Sequence, residues 1–176
     1  MAAQDPRTKF SNEKYPKQEQ PVPDLQSKLE PKPDCGETSY QGHGRLTDYK
    51  MLVTGGDSAI GRAAAIAYAK EGADVAINYL PAEQEDAEEV KSVIEQAGRK
   101  AVLIPGDVRD EQFNYDLVEQ AYNELGGLDN VTLVAGHQQY HDDIKGFSTE
   151  AFTETFETNV YPIFWTVQKA LDLSLI

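Results

Sequence analysis

The chain has 176 residues, of which 40% are apolar and 26% charged, with a formal net charge of −14 and a single cysteine. Such an excess of negative charge repels phosphate backbones and anionic membranes, so neither nucleic acid nor a membrane is an expected partner. One cysteine excludes an intrachain disulfide or a cysteine-rich zinc site, and the lack of a signal peptide or of about 20 consecutive apolar residues predicts a cytoplasmic protein.

Charge and proline are divided unevenly along the chain. Residues 1–45 contain seven basic residues, seven acidic residues and six of the nine prolines, whereas residues 46–176 contain nine basic and 23 acidic residues. A proline-rich segment with few aliphatic residues buries too little apolar surface to fold alone and favours extended conformations. We therefore predict a flexible, mostly extended arm over 1–45, with Cys35 as an unreactive thiol and His43 in its final part, and a folded domain over 46–176.

The domain begins with a strand, a turn of small residues and a helix. An apolar run at 51–53 precedes the turn, and strong helix formers at 62–71 follow it. The turn reads Thr54, Gly55, Gly56, Asp57, Ser58, Ala59, Ile60 and Gly61. Free backbone N–H groups and the positive end of the helix dipole converge at such a junction, and small side chains let a pyrophosphate approach the backbone. The turn predicts dinucleotide binding, although glycine also serves tight turns that hold no ligand.

Strands and helices then alternate. The patterns predict strands at 74–79, 100–105 and 130–135 and helices at 83–97 and 111–125. Short links between alternating elements imply right-handed crossovers and a parallel sheet that binds ligands at the carboxyl ends of its strands. The predicted fold class is therefore α/β, a Rossmann-like doubly wound parallel sheet that is incomplete because it ends after four strands.

Two patterns concern helix faces. The acidic run at 83–89 predicts a solvent-facing side of the second helix. After the capping residue Ser148, large apolar residues recur at every fourth position, at Phe152, Phe156, Val160 and Phe164. This spacing predicts one helical face that is buried.

From about Gly42 to Leu173 the chain resembles a short-chain dehydrogenase/reductase, and its arm and Gly-Gly-Asp-Ser turn are similar to an N-terminally extended bacterial subgroup of general-stress oxidoreductases. The family turn Thr-Gly-x-x-x-Gly/Ala-x-Gly is matched, with a methyl group at Ala59 that is expected to weaken binding. Of the family's Asn-Asn-Ala-Gly segment, only the Ala-Gly half is present. The resemblance implies these cofactor contacts: Gly55, Asp57, Ser58, Ala59, Ile60, Gly61, Asn78, Tyr79, Asp107, Val108, Ala135 and Gly136.

The expected cofactor is NAD or NADP. NAD-selective sites usually place an acidic residue at the end of the second strand, where it accepts a hydrogen bond from the ribose 2′-OH. Asn78 is neutral at that position, and Arg62 lies near the turn. These two residues favour NADP slightly.

The resemblance assigns Asn159 to the proton relay, while an asparagine at a helix kink is the structural alternative. In this family a tyrosine transfers the substrate proton, a lysine four residues later lowers the pKa of that tyrosine, and an upstream serine polarises the carbonyl. None of the nine tyrosines here is followed by lysine at the fourth position. We therefore expect the serine, tyrosine and lysine beyond Ile176, in a parent from which this chain is C-terminally truncated.

A second candidate site is the segment from His137 to His141. Two histidines four residues apart can share a metal on a helix, but zinc needs a third ligand, and the position after a strand end predicts a loop. No metal site is therefore expected. In the resemblance this loop borders the substrate pocket, so Gln138 and Tyr140 are expected to touch substrate.

Three functions remain open at this point. The first is an NAD(P)-dependent oxidoreductase, of which this chain is the cofactor-binding half and is inactive by itself. The second is a non-catalytic dinucleotide-binding module, and the third is a structural interaction protein. Small-molecule alcohols or carbonyl compounds are the expected partners, with self-association of a full-length parent left open.

Overall fold

The architecture is a parallel sheet with helices on both faces. The computed structural model describes residues 5, 16–20 and 22–173. The strands are β1 (Lys50–Thr54), β2 (Asp74–Tyr79), β3 (Ala101–Pro105) and β4 (Asn130–Leu133). The helices are α1 (Ala59–Lys70), α2 (Gln84–Gln96), α3 (Glu111–Leu125), α4 (Thr149–Asn159) and α5 (Tyr161–Asp172). The predicted α/β class is confirmed, and the element ends differ from the predicted ones by at most three residues.

The strands are ordered β3-β2-β1-β4, and every pairing between neighbours is parallel. Thr54 at the end of β1 pairs with Asn78 in β2 and with Leu133 in β4. The carboxyl ends of the strands therefore meet at one edge of the sheet, where the turn after β1 also lies. This is the edge at which doubly wound sheets bind ligands.

The core consists of two buried clusters, one on each face of the sheet. Successive residues of a strand point to opposite faces. Val53 and Ile77 accordingly pack with residues of α1 and α2 such as Ile66, whereas Leu52 packs in a second cluster that includes Leu117 of α3. Both faces of the central strands are covered, which explains why these strands read as continuous apolar runs.

The described part of the arm packs against α1 and α2. The Lys70 ammonium donates to the carbonyl oxygens of Gly36, Glu37 and Tyr40. The Glu71 carboxylate accepts hydrogen bonds from the Tyr40 hydroxyl and the His43 amide. The composition of the arm predicted a flexible segment that cannot fold alone. It did not indicate these contacts, because the partner residues lie elsewhere in the chain. The remaining arm positions, 1–4, 6–15 and 21, lie outside the described residues.

The prediction of a solvated acidic face at 83–89 was wrong at Asp86. That carboxylate is fully buried and accepts hydrogen bonds from the Gln26 and Ser27 amides. Glu89 pairs with Lys32 of the arm and with Arg62 of α1. The acidic side of α2 is therefore the surface on which the arm is held.

The prediction of one buried helical face after Ser148 was also wrong. Ser148 does cap α4 by accepting a hydrogen bond from the Ala151 amide. The helix breaks at Val160, however, and α5 buries Pro162 and Thr166 instead. The four apolar residues are 38–64% exposed: Phe152, Phe156, Val160 and Phe164. No described element covers this face, because α5 packs on α3 with its other side.

None of the helices in the described part of the chain has the length and apolar character required to cross a membrane.

Candidate functional site

The turn between β1 and α1 is built on close backbone contacts. A Cβ atom at Gly61 would lie 1.8 Å from the carbonyl oxygen of Gly55, and one at Gly56 would lie 2.6 Å from the Ile77 side chain. Gly55 itself has φ +60° and lies against Ala135. Glycine is required at these positions because any larger residue displaces backbone or a buried side chain. The backbone-lined cradle fits a pyrophosphate group.

A cleft of about 710 Å³ opens beside this turn at the carboxyl ends of the strands. It contains nearly all the predicted cofactor contacts: Gly55, Asp57, Ser58, Ala59, Ile60, Asn78, Tyr79, Asp107, Val108, Ala135 and Gly136. Gly61 is buried behind them and shapes the turn. The fold thus brings residues from the ends of all four strands to one cavity.

The side chains of Asn78 and Tyr79 contribute mainly to the wall of the cleft. Asn78 is 2% exposed, and its Nδ2 donates to the carbonyl oxygens of Ile104 and Gly106 at 3.2 and 3.0 Å. The Tyr79 hydroxyl donates to Gln84 Oε1. The Asn78 amide nitrogen therefore joins β2 to the end of β3, a structural role that its position at the end of the second strand did not indicate.

The carboxylate of Asp57 is the most unusual polar group in the cleft. Its side chain is 1% exposed, and within the described residues its Oδ2 has no hydrogen-bond partner. Burial raises the pKa of Asp57 above its ordinary value. Glu83, which also lines the cleft, accepts a hydrogen bond from the Leu80 amide, and burial followed by the nearby Asp57 charge raises its pKa to about 7.

On the opposite side of the cleft, Asp107 is engaged by Arg109. The Arg109 Nε and Nη2 atoms donate to Asp107 Oδ2 at 2.9 and 2.6 Å, and Nη1 donates to Glu154 at 3.1 Å. Arg109 was missed in the sequence, although it directly follows the predicted pair Asp107 and Val108. The guanidinium fixes the Asp107 carboxylate and links β3 to α4.

Asn159 lies at the end of α4, where the helix breaks, and lines a smaller neighbouring cleft of about 320 Å³. Its Oδ1 accepts from the His137 amide at 2.7 Å, and its Nδ2 donates to the His137 carbonyl at 2.8 Å. Thr54 Oγ1 accepts from the Val134 and Ala135 amides. The segment after β4 is thus held from both sides, and Asn159 occupies a helix kink as the structural alternative predicted.

A sequence profile described as short chain dehydrogenase matches residues 50–175, which include all these elements. This chain belongs to the short-chain dehydrogenase family. It is 58% identical over 169 residues to uncharacterized oxidoreductase YghA of Escherichia coli, and the match covers 96% of this chain and 58% of that protein. It is 46% identical over 150 residues to general stress protein 39 of Bacillus subtilis, with coverage of 85% and 52%.

Among solved structures, the fold is similar to that of a short chain dehydrogenase from Burkholderia cenocepacia in complex with NADP. The TM-score is 0.67 at 34% sequence identity, over 73% of this chain and 51% of that one. The predicted resemblance to the family and to its general-stress relatives is therefore confirmed. The chain spans about half the length of the proteins that it matches.

In this member of the family most residues of the loop after β4 are exposed. Gln138 lines both clefts, whereas Tyr140 is 88% exposed and lines neither. His137 Nε2 lies 4.0 Å from Glu154, and the His141 ring contacts Phe147. Within the described residues, no group of three metal-ligating side chains is arranged to hold a metal ion.

Nothing in the sequence indicates that the arm reaches the cleft. Val22, Pro23 and Asp24 line it, and the Gln26 side chain accepts a hydrogen bond from the Ala59 amide at 2.5 Å. These residues precede the family profile, and their own composition is that of a linker. Only the tertiary contacts assign them to the site.

Proposed function

We propose that this chain binds a nicotinamide dinucleotide in the cleft beside α1 and forms the cofactor-binding half of an oxidoreductase acting on an alcohol or carbonyl substrate. The observation that carries the proposal is the backbone cradle at Gly55 and Gly61, which lies at the carboxyl end of β1 and opens into the 710 Å³ cleft. Free N–H groups of the first helical turn favour an anionic group at that point.

Other residues of the cleft support the remaining contacts. Val108 is almost fully buried beside Asp107 and offers an apolar surface for a base, while Ala135 and Gly136 leave space next to the turn. The bound nicotinamide would supply or accept the hydride. The chain's own part is to bind and orient: Arg109 fixes Asp107, and Asn159 holds the backbone of His137 at the entrance to the second cleft. Participation of Asn159 in a proton relay is part of the proposal.

The charges around the end of β2 favour NAD over NADP. Arg62, whose position near the turn slightly favoured NADP in the sequence, is 2% exposed and forms ion pairs with Glu37 and Glu89. The groups that do face the cleft near Leu80 are the acidic Asp57 and Glu83. A 2′-phosphate would bring further negative charge close to these carboxylates, at a cost on the order of 1 kcal/mol or more for each charged carboxylate.

Substitution of Asp57 tests this preference. We expect Asp57→Asn to improve NADPH affinity relative to NADH about fivefold, since the shape is retained and one charge is removed. Asp116→Asn, on the exposed side of α3, is the matched control and should leave the ratio unchanged. An unchanged ratio in Asp57→Asn would remove Asp57 as a determinant of cofactor choice.

Binding itself is tested by fluorescence titration of NADH and NADPH with the 176-residue chain. The unmodified chain should bind, and Gly61→Ala should lose at least tenfold in affinity, because its Cβ would collide with the Gly55 carbonyl. Gly146→Ala is the control, since a Cβ there meets nothing within 4 Å. Absence of binding by the unmodified chain, or undiminished binding by a folded Gly61→Ala variant, would refute the proposed function.

A non-catalytic dinucleotide-binding module is the second candidate. The same cleft and backbone cradle would serve it, because binding alone requires no proton donor. Cofactor binding without turnover by the longest natural reading frame containing this chain would favour the module. Hydride transfer by that longer protein would decide for the oxidoreductase.

A further inference from the structure

A hydrogen bond connects the arm to the glycine-rich turn, although the sequence predicts that the arm and the domain are separate parts of the chain. Gln26 lies in a 3₁₀ turn, Gln26–Lys28, and is 5% exposed. Its Oε1 accepts from the Ala59 amide at 2.5 Å, and its Nε2 donates to Cys35 Sγ at 3.3 Å. Both polar atoms of the buried Gln26 side-chain amide therefore have a hydrogen-bond partner.

Gln26 is itself held in position by α2. The buried Asp86 carboxylate accepts from the Gln26 amide at 2.6 Å and from the Ser27 amide at 3.0 Å. Hydrogen bonds to a charged group are stronger than neutral ones, so this anchor fixes the backbone from which the Gln26 side chain extends. The chain of contacts runs from α2 through Gln26 to the first residue of α1.

Ala59 is the position at which such support matters. It has φ +44°, one of two positive φ values at residues other than glycine within the described residues. An L-residue in this region is strained, and strained backbone persists only where its surroundings hold it. Gln26 satisfies the Ala59 amide in that conformation.

The hydrogen bond also leaves the next amides available. Within the described residues, the Arg62 amide donates to the Ser58 carbonyl, whereas the Ile60 and Gly61 amides have no acceptor. These are the first-turn donors that a helix N-terminus offers to an anion. Gln26 therefore accepts from the Ala59 amide and leaves the next two amides without an acceptor, and of these two residues Ile60 lines the cleft.

We propose that Gln26 is a positioning residue of the dinucleotide site, which holds Ala59 in its strained conformation so that the Ile60 and Gly61 amides face the cofactor phosphates. The arm is then a functional part of the site, with residues 22–24 as one wall of the cleft. This proposal rests on the proposed function, because it assumes that the cleft binds a dinucleotide.

The test measures NADH and NADPH dissociation constants by fluorescence titration of the 176-residue chain, with far-UV circular dichroism and urea unfolding of each variant without cofactor. Gln26→Met keeps the length of the side chain but removes the acceptor, and we expect it to weaken binding about five- to tenfold. Gln18→Met is the matched control. It removes two comparable hydrogen bonds to the Glu30 backbone, in the same arm but away from the turn.

A rescue variant separates positioning from general stabilisation. Glycine adopts positive φ without strain, so Ala59→Gly in the Gln26→Met background should restore affinity to within about twofold of the unmodified chain. Three results would overturn the proposal: undiminished binding by Gln26→Met, an equal loss in Gln18→Met, or no rescue by Ala59→Gly. Absence of binding by the unmodified chain would instead refute the proposed function, and the proposal with it.

Discussion

Replacing Ala59 by glycine should stabilise this chain, although alanine-to-glycine substitution in a helix normally destabilises a protein. The φ of +44° strains Ala59 by roughly 1–2 kcal/mol, and glycine removes that strain. The additional freedom of glycine in the unfolded chain costs about 0.5–1 kcal/mol. Because Ala59 is exposed, little packing is lost. The expected net change is a stabilisation of about 0.5–1 kcal/mol.

Ala63→Gly is the matched control. Ala63 lies in the same helix, four residues later, and is not among the residues with positive φ. There the substitution should destabilise by about 1 kcal/mol. Both substitutions increase the conformational entropy of the unfolded chain equally. The difference between the two unfolding free energies, about 1.5–2 kcal/mol, therefore measures the strain at Ala59.

Urea unfolding followed by far-UV circular dichroism, with equal m-values required for all three chains, measures these differences. If Ala59→Gly lowered the free energy of unfolding as much as Ala63→Gly does, Ala59 would not be strained. In the cofactor titration, Ala59→Gly should tighten NAD(P)H binding about twofold, since the methyl group at the cradle is also removed. Weaker binding would show that the methyl group does not hinder the cofactor.

Four further predictions concern pH, the exposed surface and turnover. Hydrogen bonds from Tyr40, Arg45 and His43 lower the pKa of Glu71 from 4.5 to about 2. The unmodified chain should therefore be more stable than Glu71→Gln above about pH 4.5, and this difference should disappear as pH falls through about 2. A difference in urea unfolding that does not depend on pH would contradict this prediction. Burial raises the pKa of Glu83 from 4.5 to about 7, so the pH dependence has the opposite sign: the stability contributed by the protonated carboxyl is lost as pH rises through about 7. Between about pH 5 and pH 8 the free energy of unfolding of Glu83→Gln should therefore rise relative to that of the unmodified chain. Equal pH profiles of the two chains would refute the raised pKa. Because α4 and α5 expose an apolar face, with Phe164 64% exposed, the 176-residue chain should bind a hydrophobic dye and be prone to aggregate, and Phe164→Glu should reduce both effects. A monodisperse chain without dye binding would refute this prediction. The 176-residue chain should also show no NAD(P)H-linked turnover, and measurable turnover would refute that expectation.

The sequence by itself determined the class of fold and the place of the site. Alternating apolar strands and amphipathic helices predicted the parallel sheet, because hydrophobic periodicity is a local signal that burial later satisfies. The turn at 54–61 predicted the cradle, since close backbone approach admits only small residues there. The family resemblance assigned Asp107, Val108, Ala135 and Gly136 to the cofactor site, and they meet in one cleft because parallel strands end at a common edge.

Only the tertiary structure decided which side chains are free to bind and which hold the fold together. Asn78 and Arg62 are suited to nucleotide contacts by type, yet both are buried in hydrogen bonds to residues more than 20 positions away. Burial of the acidic Asp86 follows from the return of the arm to α2, and exposure of Phe164 follows from the break at Val160. The role of Gln26 depends on one contact across 33 residues. Local patterns do not encode such pairings, because they are fixed by which surfaces meet after the chain has folded.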